Sequence, residues 1–163
     1  MEPRFVADAM LGRLAKWLRI LGYDTRYDPR WTDPQLVRLA RAEDRVLLTR
    51  DLELARRRGV RVLLIESEQL DAQLEHLHRT LGLWAVAPLS RCPVCNEPLE
   101  EVPKDHAWGL VPPYVFCTQE WFRLCPACNR FYWRGTHHAR ITTLVVRWGH
   151  QWQHEPYPPE NPA

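Results

Sequence analysis

Three aspartates occupy positions from which carboxylates can bind a metal ion. Asp8 and Asp51 follow the short apolar runs 5–7 and 46–48, which are typical of buried parallel strands, and Asp33 opens a predicted helix. In open α/β sheets the functional site lies at the carboxyl ends of strands. Carboxylates gathered there repel one another unless a cation or shared protons offset the charge. These residues therefore predict a site for Mg²⁺ or Mn²⁺, which prefer oxygen ligands.

A second interpretation gives each of these aspartates a purely structural role. Aspartate is a preferred N-cap residue because its carboxylate accepts hydrogen bonds from the first N–H groups of a helix. All three aspartates precede or open predicted helices. For any one of them taken alone, the pattern does not separate a cap from a metal ligand, so both interpretations stay open.

Four of the five cysteines form two C-x₂-C pairs, which are separated by 29 residues. The pairs are Cys92 with Cys95 and Cys125 with Cys128, and an asparagine follows each pair, as suits a tight turn. Four thiolates delivered in this way match the tetrahedral coordination of structural zinc, which has no open position for catalysis. Disulfides are the alternative, but the paired spacing and a cytoplasmic setting disfavour them. We therefore predict a structural zinc site.

Other reactive and aromatic side chains near the cysteines have less specific patterns. Cys117 has no partner at knuckle spacing, so we expect it to be a small buried residue. His137 and His138 could bind phosphate or a metal ion, but adjacent histidines point in different directions, and surface positions are the commoner outcome. Exposed tryptophans are candidates for stacking on unpaired bases, although packing against the main domain is the commoner role. These tryptophans are Trp108, Trp121, Trp133, Trp148 and Trp152.

Apolar spacing in the first half of the chain predicts strands that alternate with helices. This alternation over short connections indicates a parallel sheet in a three-layer α/β/α domain. The expected strands lie at 5–7, 23–27, 46–48 and 60–65, and the expected helices lie at 10–21, 33–43, 51–58 and 68–81.

A change in composition near residue 88 divides the chain. We expect the α/β domain over residues 1–88, a small zinc-stapled module with a C-terminal extension over 89–150, and a disordered Pro-rich tail over 151–163. The module should be β-rich, with hairpins that include 111–116 and 131–133. The apolar, β-branched residues that follow, from Ile141 to Trp148, indicate an added strand or a docking element.

Charge is distributed unevenly although the net charge is only +2. Residues 1–91 hold 16 Lys and Arg against 13 Asp and Glu. Two basic groups, on different helices, could contact the phosphates of a polyanion, although a solvated helix face is an equally good interpretation. The groups are Arg13, Lys16 and Arg19, and Arg50, Arg56, Arg57 and Arg58. Neither a membrane span nor a signal peptide is evident, so we expect a soluble cytoplasmic protein with no membrane partner.

Several motifs occur in a fixed order over nearly all of residues 4–138. They are Ala7-Asp8-Ala9-Met10-Leu11-Gly12-Arg13-Leu14-Ala15-Lys16-Trp17-Leu18-Arg19, then Leu48-Thr49-Arg50-Asp51, the two C-x₂-C pairs, and Tyr132-Trp133-Arg134-Gly135. Together they resemble the Mut-seven C-terminal RNase family. The resemblance implies a PIN-like nuclease fold fused to a zinc ribbon. It also implies hydrolysis of single-stranded or structured RNA with Mg²⁺ or Mn²⁺ held by clustered acids.

The resemblance also implies site residues by position. Asp8, Asp33 and Asp51 match the metal-binding acids, and Glu53 matches the second acid of a D-x-[DE] pair. Asp28 corresponds to an outer neighbour of the site. The ligand set is thinner than in better-known nucleases, because Gln35 replaces a frequent acid and Glu66 is a weak match for another.

The leading hypothesis is therefore a metal-dependent ribonuclease. Asp8 and Asp51 would hold the ion, while Asp33 or Glu53 completes the site or orients the attacking water. Thr49 would hydrogen-bond the scissile phosphate or a ligand carboxylate. Neighbouring phosphates would be positioned without sequence readout by the basic residues Arg13, Lys16 and Arg50.

Two other functions remain open on the sequence. One is a non-catalytic RNA- or ribosome-binding adaptor, in which the zinc ribbon grips RNA and the acids serve as helix caps. The other is a phosphatase or nucleotide hydrolase, although the lack of a Gly-rich P-loop argues against an NTPase. No motif identifies a protein partner or an inhibitor.

Overall fold

The first half of the chain forms a four-stranded parallel sheet in the computed structural model, which describes residues 1–84 and 86–153. Its strand order is β2-β1-β3-β4. Each run predicted as a strand contains one, although the observed strands are shorter than some of the predicted runs. The strands are β1 (Phe5–Ala7), β2 (Thr25–Tyr27), β3 (Val46–Thr49) and β4 (Val62–Leu64).

Four helices follow the four strands in alternation, as the apolar spacing predicted. The first predicted helix is divided, because residues 9–11 form a 3₁₀ turn before the regular α-helix begins at Gly12. The helix after Asp51 is also shorter than expected and ends at Ala55. The helices are α1 (Gly12–Ile20), α2 (Asp33–Ala42), α3 (Leu52–Ala55) and α4 (Leu70–Leu81).

Helices cover both faces of the sheet, which confirms the three-layer arrangement. Side chains alternate along a strand, so Phe5 and Ala7 of β1 face one core while Val6 faces the other. The first core receives apolar residues of α1 and α4, and the second receives those of α2 and α3. Burial on both faces explains why the strands read as continuous apolar runs.

A separate three-stranded antiparallel sheet follows, with strand order β5-β6-β7. Its strands are β5 (Glu100–Val102), β6 (Phe122–Leu124) and β7 (Phe131–Trp133). Its apolar core is small and is built around fully buried Phe122. A core of this size needs an additional staple, and the four cysteines lie at its edge. This module is called the zinc ribbon below, after the metal predicted for its four cysteines.

The prediction of a hairpin strand at 111–116 was wrong. A helix, α5 (Pro113–Thr118), begins within this segment and has a proline at its first position. Proline fixes φ near the helical value, and it cannot donate the hydrogen bond that a strand ladder requires. The adjacent prolines therefore favour a helix start over a strand at this point.

The prediction of a strand at 141–148 was also wrong, because these residues lie in the long helix α6 (Thr136–Gln153). Ile141 and Trp148 are buried seven residues apart, with half-buried Leu144 and Val145 between them. This spacing places one apolar stripe on one helix face, and its burial outweighs the β propensity of the branched residues.

The docking role predicted for this segment is confirmed. Trp148 belongs to the first core of the α/β sheet, where it meets Trp17 edge to face at 5.3 Å between ring centroids. Helix α6 therefore runs from the end of the zinc ribbon back to the parallel sheet. The expected tail at 151–163 falls mostly outside the described residues, since Gln151 to Gln153 end α6 and 154–163 are not described. Among the described residues, no helix combines the length and apolar character needed to cross a membrane.

Candidate active site and metal centre

Asp8 and Asp51 lie at the same edge of the parallel sheet. They follow β1 and β3, which are neighbouring strands with Ala7 paired to Leu48. The two chains stay together beyond this pair, because Asp8 N donates to the Leu48 carbonyl at 3.0 Å. The carboxyl ends of these strands, with Asp8, Thr49 and Asp51, are called the acid edge below.

Thr49 joins the two aspartates at the acid edge. Its hydroxyl donates to Oδ2 of Asp8 at 2.8 Å and accepts from the backbone N–H of Asp51 at 2.9 Å. The Thr49 side chain is fully buried, with 0% of its surface exposed. Because the buried hydroxyl both donates and accepts a hydrogen bond, the Thr49 side chain is held in one rotamer. It therefore fixes the position of Asp8 relative to the turn that carries Asp51.

Each of these aspartates also caps a helical turn, so the capping interpretation is correct for both. Oδ1 of Asp8 accepts from Ala9 N at 2.5 Å at the start of the 3₁₀ turn. Oδ1 of Asp51 accepts from the N–H groups of Glu53 at 2.7 Å and Leu54 at 3.0 Å. These caps occupy one oxygen of each carboxylate and orient the other, so capping and ligand binding are compatible roles here.

Asp33 and Glu53 stand in the first turns of α2 and α3 without being caps. The cap of α2 is formed by Thr32 and Gln35, since Gln35 Oε1 accepts from Thr32 N at 2.8 Å. Gln35 therefore completes a capping box with Thr32. Glu53 is exposed and Asp33 is half-buried.

The carboxylates do not form a compact cluster. In the described parts of the chain, 1–84 and 86–153, only the four cysteines form a group of at least three Asp, Glu, His or Cys ligand atoms close enough to share an ion. The assignment of Asp8, Asp33, Asp51 and Glu53 to a metal site therefore stays a prediction.

The turn that carries Asp8 is supported from the side by Tyr27. The Tyr27 hydroxyl donates to the carbonyl of Ala9 at 2.9 Å. A Cβ atom at position 12 would lie 2.6 Å from that hydroxyl oxygen, so only glycine permits this contact. Gly12 thus allows β2 to brace the loop between β1 and α1.

The three basic residues of α1 differ in exposure and in their contacts. Arg13 and Lys16 are exposed, three residues apart on one side of the helix. The interpretation of Arg19 as a phosphate contact was wrong, because it is buried and its guanidinium donates to the carbonyls of Pro93 and Val94 at 3.1 and 2.9 Å. A buried guanidinium needs acceptors for its N–H groups, and these two carbonyls and that of Thr25, at 2.9 Å from Nε, accept three of the five.

Other basic residues of the α/β domain lie beside the acid edge and in a cleft next to α2. Arg50, beside the acid edge, forms an ion pair with Glu68 at 3.0 Å and is mostly buried. A cleft between α2 and the loop after α3 has no Asp or Glu among its described lining residues. The cleft contains four arginines, which are Arg38, Arg41, Arg57 and Arg58.

The four paired cysteines meet at one point in the zinc ribbon. The sulfur atoms of Cys92, Cys95, Cys125 and Cys128 all lie within 4.8 Å of one another. Each pair is held by a tight turn, in which the residue after the second cysteine donates to the carbonyl of the first at 2.9 Å. That residue is an asparagine with positive φ in both turns, 72° at position 96 and 57° at position 129. Asparagine tolerates this left-handed conformation, as the sequence predicted.

Tyr132 supports this cluster from outside. Its hydroxyl lies 3.0 Å from the sulfur of fully buried Cys92. Burial alone would raise the pKa of Cys92, but the Tyr132 hydroxyl and nearby backbone N–H groups lower it to about 7. The same contact and burial raise the pKa of Tyr132, which keeps the hydroxyl protonated as a donor. The thiolate form that zinc requires is therefore favoured at Cys92.

The first cysteine turn is fastened to the parallel sheet through a network that the sequence pattern did not reveal. The side-chain carbonyl of Asn96 accepts from Thr25 N at 2.9 Å, and its amide donates to Asp24 at 2.7 Å. Asp24 also pairs with Arg45 at 2.8 Å, and the Arg45 side chain is only 3% exposed. Burial would raise the pKa of Asp24, but hydrogen bonds from Arg45 and Asn96 hold it below its ordinary value.

Cys117 does not belong to this cluster, and its expected burial was wrong because it is exposed. It lies on α5 two residues after Val115, the buried residue of that helix, and positions two apart face different sides. His137 is exposed as expected, whereas His138 is half-buried. Burial and the nearby Arg134 and Arg123 lower the pKa of His138.

Comparisons with known proteins bear on the whole chain. A comparison with curated proteins and one with solved structures each found no match. A scan against protein-family models matched the Mut7-C RNAse domain over residues 3–145. That range covers both the parallel sheet with its acid edge and the zinc ribbon with its four cysteines. The chain therefore belongs to the Mut7-C RNase domain family.

Proposed function

We propose that the protein is a metal-dependent ribonuclease that hydrolyses RNA phosphodiester bonds at the acid edge. The observation that carries this proposal is the chain of contacts from Asp8 through Thr49 to Asp51, at the carboxyl ends of adjacent parallel strands. Buried Thr49 fixes carboxylates that come from distant parts of the sequence. The family, which is named for an RNase domain, supplies the substrate class.

The acid edge fits a hard divalent ion. Mg²⁺ commonly keeps several water ligands and is bound in proteins by one or two carboxylates together with substrate phosphates. Asp8 and Asp51 offer two such carboxylates, each with one oxygen that its cap does not use. In Asp8 this oxygen, Oδ2, accepts from Thr49 and has a second lone pair for an ion. Mg²⁺ or Mn²⁺ would be held by these two residues, with Asp33 or Glu53 as a further ligand. When bound, the ion supplies an acidic water molecule and offsets charge on the phosphoryl group.

The protein's own residues perform the remaining tasks. Thr49 holds Asp8 in one orientation through its 2.8 Å hydrogen bond. Exposed Glu53, in the first turn after Asp51, is placed to orient the attacking water or accept its proton. Exposed Arg13 and Lys16 would contact phosphates without reading base sequence. Arg50, which precedes Asp51 and pairs with Glu68, would be a further cation beside the acid edge.

The cysteine cluster has a structural role in this proposal. Four thiolates within 4.8 Å of one another satisfy the tetrahedral preference of zinc and leave no coordination position for water or substrate. The zinc would stabilise a ribbon whose own apolar core is small. Zinc is therefore assigned to the stability of the ribbon and Mg²⁺ or Mn²⁺ to the chemistry.

The test compares aspartates at the two ends of one strand. Asp51 follows β3 at the acid edge, while exposed Asp44 precedes it at the opposite edge. With purified zinc-loaded protein, Mn²⁺ and end-labelled RNA, Asp8→Asn and Asp51→Asn should each reduce the cleavage rate by about 100-fold or more. Asp44→Asn should cleave at the wild-type rate.

Direct measurement of Mn²⁺ binding separates ion binding from cleavage. Isothermal titration should show weaker Mn²⁺ binding for Asp8→Asn and Asp51→Asn than for Asp44→Asn. Equal Mn²⁺ affinity in all three variants, or equal cleavage by wild type and Asp8→Asn, would contradict the assignment of the acid edge.

A second candidate function is a non-catalytic RNA-binding or ribosome-binding adaptor. The observation that favours it is that Asp8 and Asp51 already cap helical turns and that no third carboxylate joins them in the described residues. An adaptor would bind labelled RNA with and without Mn²⁺ and leave it intact. Cleavage that depends on Mn²⁺ and on Asp8 would exclude this function.

A further inference from the structure

A groove on the zinc ribbon has aromatic walls and a volume suited to one planar ring system. It lies between β7 and the start of α6, has a volume of about 250 Å³, and is called the ribbon groove below. Its walls include Trp121, Tyr132 and Trp133. Pockets for drug-sized ligands begin at roughly 300 Å³, so this one suits a single nucleobase better than a larger ligand or a duplex.

Two guanidinium groups lie over Trp121 in this groove. The guanidinium groups of Arg123 and Arg134 lie 4.7 and 4.6 Å from its ring centroid. The His138 ring meets the same indole edge to face at 6.2 Å. These contacts cover part of the indole and place two guanidinium groups at the groove, so a base that enters it would meet the arginine planes together with the aromatic walls.

The charge of the groove is complementary to a polyanion. No Asp or Glu is among the described residues that line it, whereas Arg91, His137 and His138 are. The lowered pKa of His138, caused by burial and by Arg134 and Arg123, reports the same positive surroundings. An aromatic groove in a cationic setting is the arrangement with which proteins bind single-stranded nucleic acids.

A second groove adjoins the ribbon groove on the side of α1. This groove shares Tyr132, Trp133 and His137 with the ribbon groove and reaches Lys16 on α1, again with no Asp or Glu among its described lining residues. Lys16 is four residues beyond Gly12, or about 6 Å along the helix axis, and Gly12 follows the turn that Asp8 caps. Lys16 and Arg13 therefore place positive charge between the second groove and the end of α1 that follows Asp8.

We propose that the ribbon groove binds an unpaired base of single-stranded RNA and that the adjoining backbone passes Lys16 and Arg13 to the acid edge. This inference rests on the proposed function only in taking RNA as the ligand, and it does not require cleavage. It makes single-stranded RNA the substrate class, because a duplex keeps its bases stacked and cannot place one against Trp121.

The experiment measures RNA binding by fluorescence anisotropy on the full zinc-loaded chain, without added Mn²⁺. The probes are a fluorescein-labelled single strand of about 12 nucleotides and the matching duplex. Wild type should bind the single strand more tightly, and Trp121→Ala should weaken that binding about tenfold or more. The matched control is Trp108→Ala, which removes a 73% exposed tryptophan of the same ribbon outside the groove and should bind like wild type.

A second variant keeps the test decisive if Trp121→Ala loses zinc or helical structure. Arg134 is exposed, and Arg134→Gln should weaken single-strand binding and reduce the salt dependence by about one counterion. Trp121→Phe, which keeps a stacking ring, should recover most of the affinity.

Two results would overturn the inference. One is equal affinity for single-stranded and duplex RNA, and the other is no loss of RNA affinity in either groove variant, as expected if the groove receives a protein segment instead. Failure of the proposed function looks different: wild type would not cleave RNA, yet single-strand binding would still depend on Trp121 and Arg134.

Discussion

The cysteine cluster and the acid edge both gather potential metal ligands, but they differ in how completely they do so. The four sulfur atoms lie within 4.8 Å of one another, whereas Asp8 and Asp51 are joined through Thr49 and share their carboxylates with helix caps. A structural metal site must be closed, because its ligands stabilise a fold. A catalytic site must leave positions for water and substrate. Changes at the cysteine cluster should therefore act on stability, and changes at the acid edge on chemistry.

Removal of one zinc ligand should have the largest effect. Cys125→Ser should abolish stoichiometric zinc binding and unfold the ribbon, because zinc contributes about 10–16 kcal/mol in comparable small modules. Zinc content and thermal unfolding measure this. The matched control is Cys117→Ser, which alters the exposed cysteine outside the cluster and should keep both zinc and stability. If Cys125→Ser lost zinc but unfolded at the same temperature as the wild type, the cysteine cluster would not have the stabilising role that distinguishes it from the acid edge.

Helix α6 connects the ribbon to the parallel sheet, so its anchor should matter for both regions. Trp148→Ala should lower the free energy of unfolding by about 3–5 kcal/mol, because it leaves a cavity where the buried indole meets Trp17. Urea unfolding measures this loss. Trp108→Ala, at an exposed position, should change the stability little. Equal stability of the two variants would show that α6 is not anchored to the sheet.

The network at Asp24 is the second connection between the regions. Asp24→Asn should cost about 3 kcal/mol at pH 7, because it leaves buried Arg45 with reduced compensation. The pKa of Asp24 is lowered in the folded protein, so its contribution is present above the ordinary value of 3.8 and is lost as the pH falls through the folded value.

The pH dependence of the free energy of unfolding tests whether the ionised form of Asp24 is responsible for this effect. The stability difference between wild type and Asp24→Asn, measured by urea unfolding, should narrow as the pH falls below 3.8. Asp44→Asn, at an exposed carboxylate, should leave the stability at pH 7 nearly unchanged. A difference that stays constant down to low pH would contradict a role for the ionised Asp24 carboxylate.

The smallest stability change, with a clear effect on activity, is expected at Thr49. Thr49→Val keeps the shape but removes the hydroxyl that joins Asp8 to the backbone of Asp51, so cleavage should fall about 10- to 100-fold. The free energy of unfolding should fall by only about 1–2 kcal/mol. Thr49→Ser keeps the hydroxyl and should retain most of the activity. Equal cleavage by the valine and serine variants would show that Thr49 does not position Asp8.

Much of the fold could be predicted from apolar spacing, because each strand of the parallel sheet is short and buried on both faces. Segments in which tertiary packing overrides the local secondary-structure propensity could not be predicted in this way. Residues 141–148 are β-branched and apolar, yet they are helical because burial of one stripe, including Ile141 and Trp148, outweighs propensity. The start of α5 was missed because its adjacent prolines were read as part of a hairpin.

The sequence by itself determined the cysteine cluster, because the ligands of a C-x₂-C turn are placed by local backbone geometry, with Asn96 and Asn129 providing the left-handed turns. Only the tertiary structure decided how the acid edge is arranged. The relation between Asp8 and Asp51 depends on the pairing of β1 with β3 and on the buried hydroxyl of Thr49. The same holds for Arg19 and Asp24, which have partners in the first cysteine turn, distant along the chain. Local spacing cannot specify contacts that exist only once distant segments have packed together.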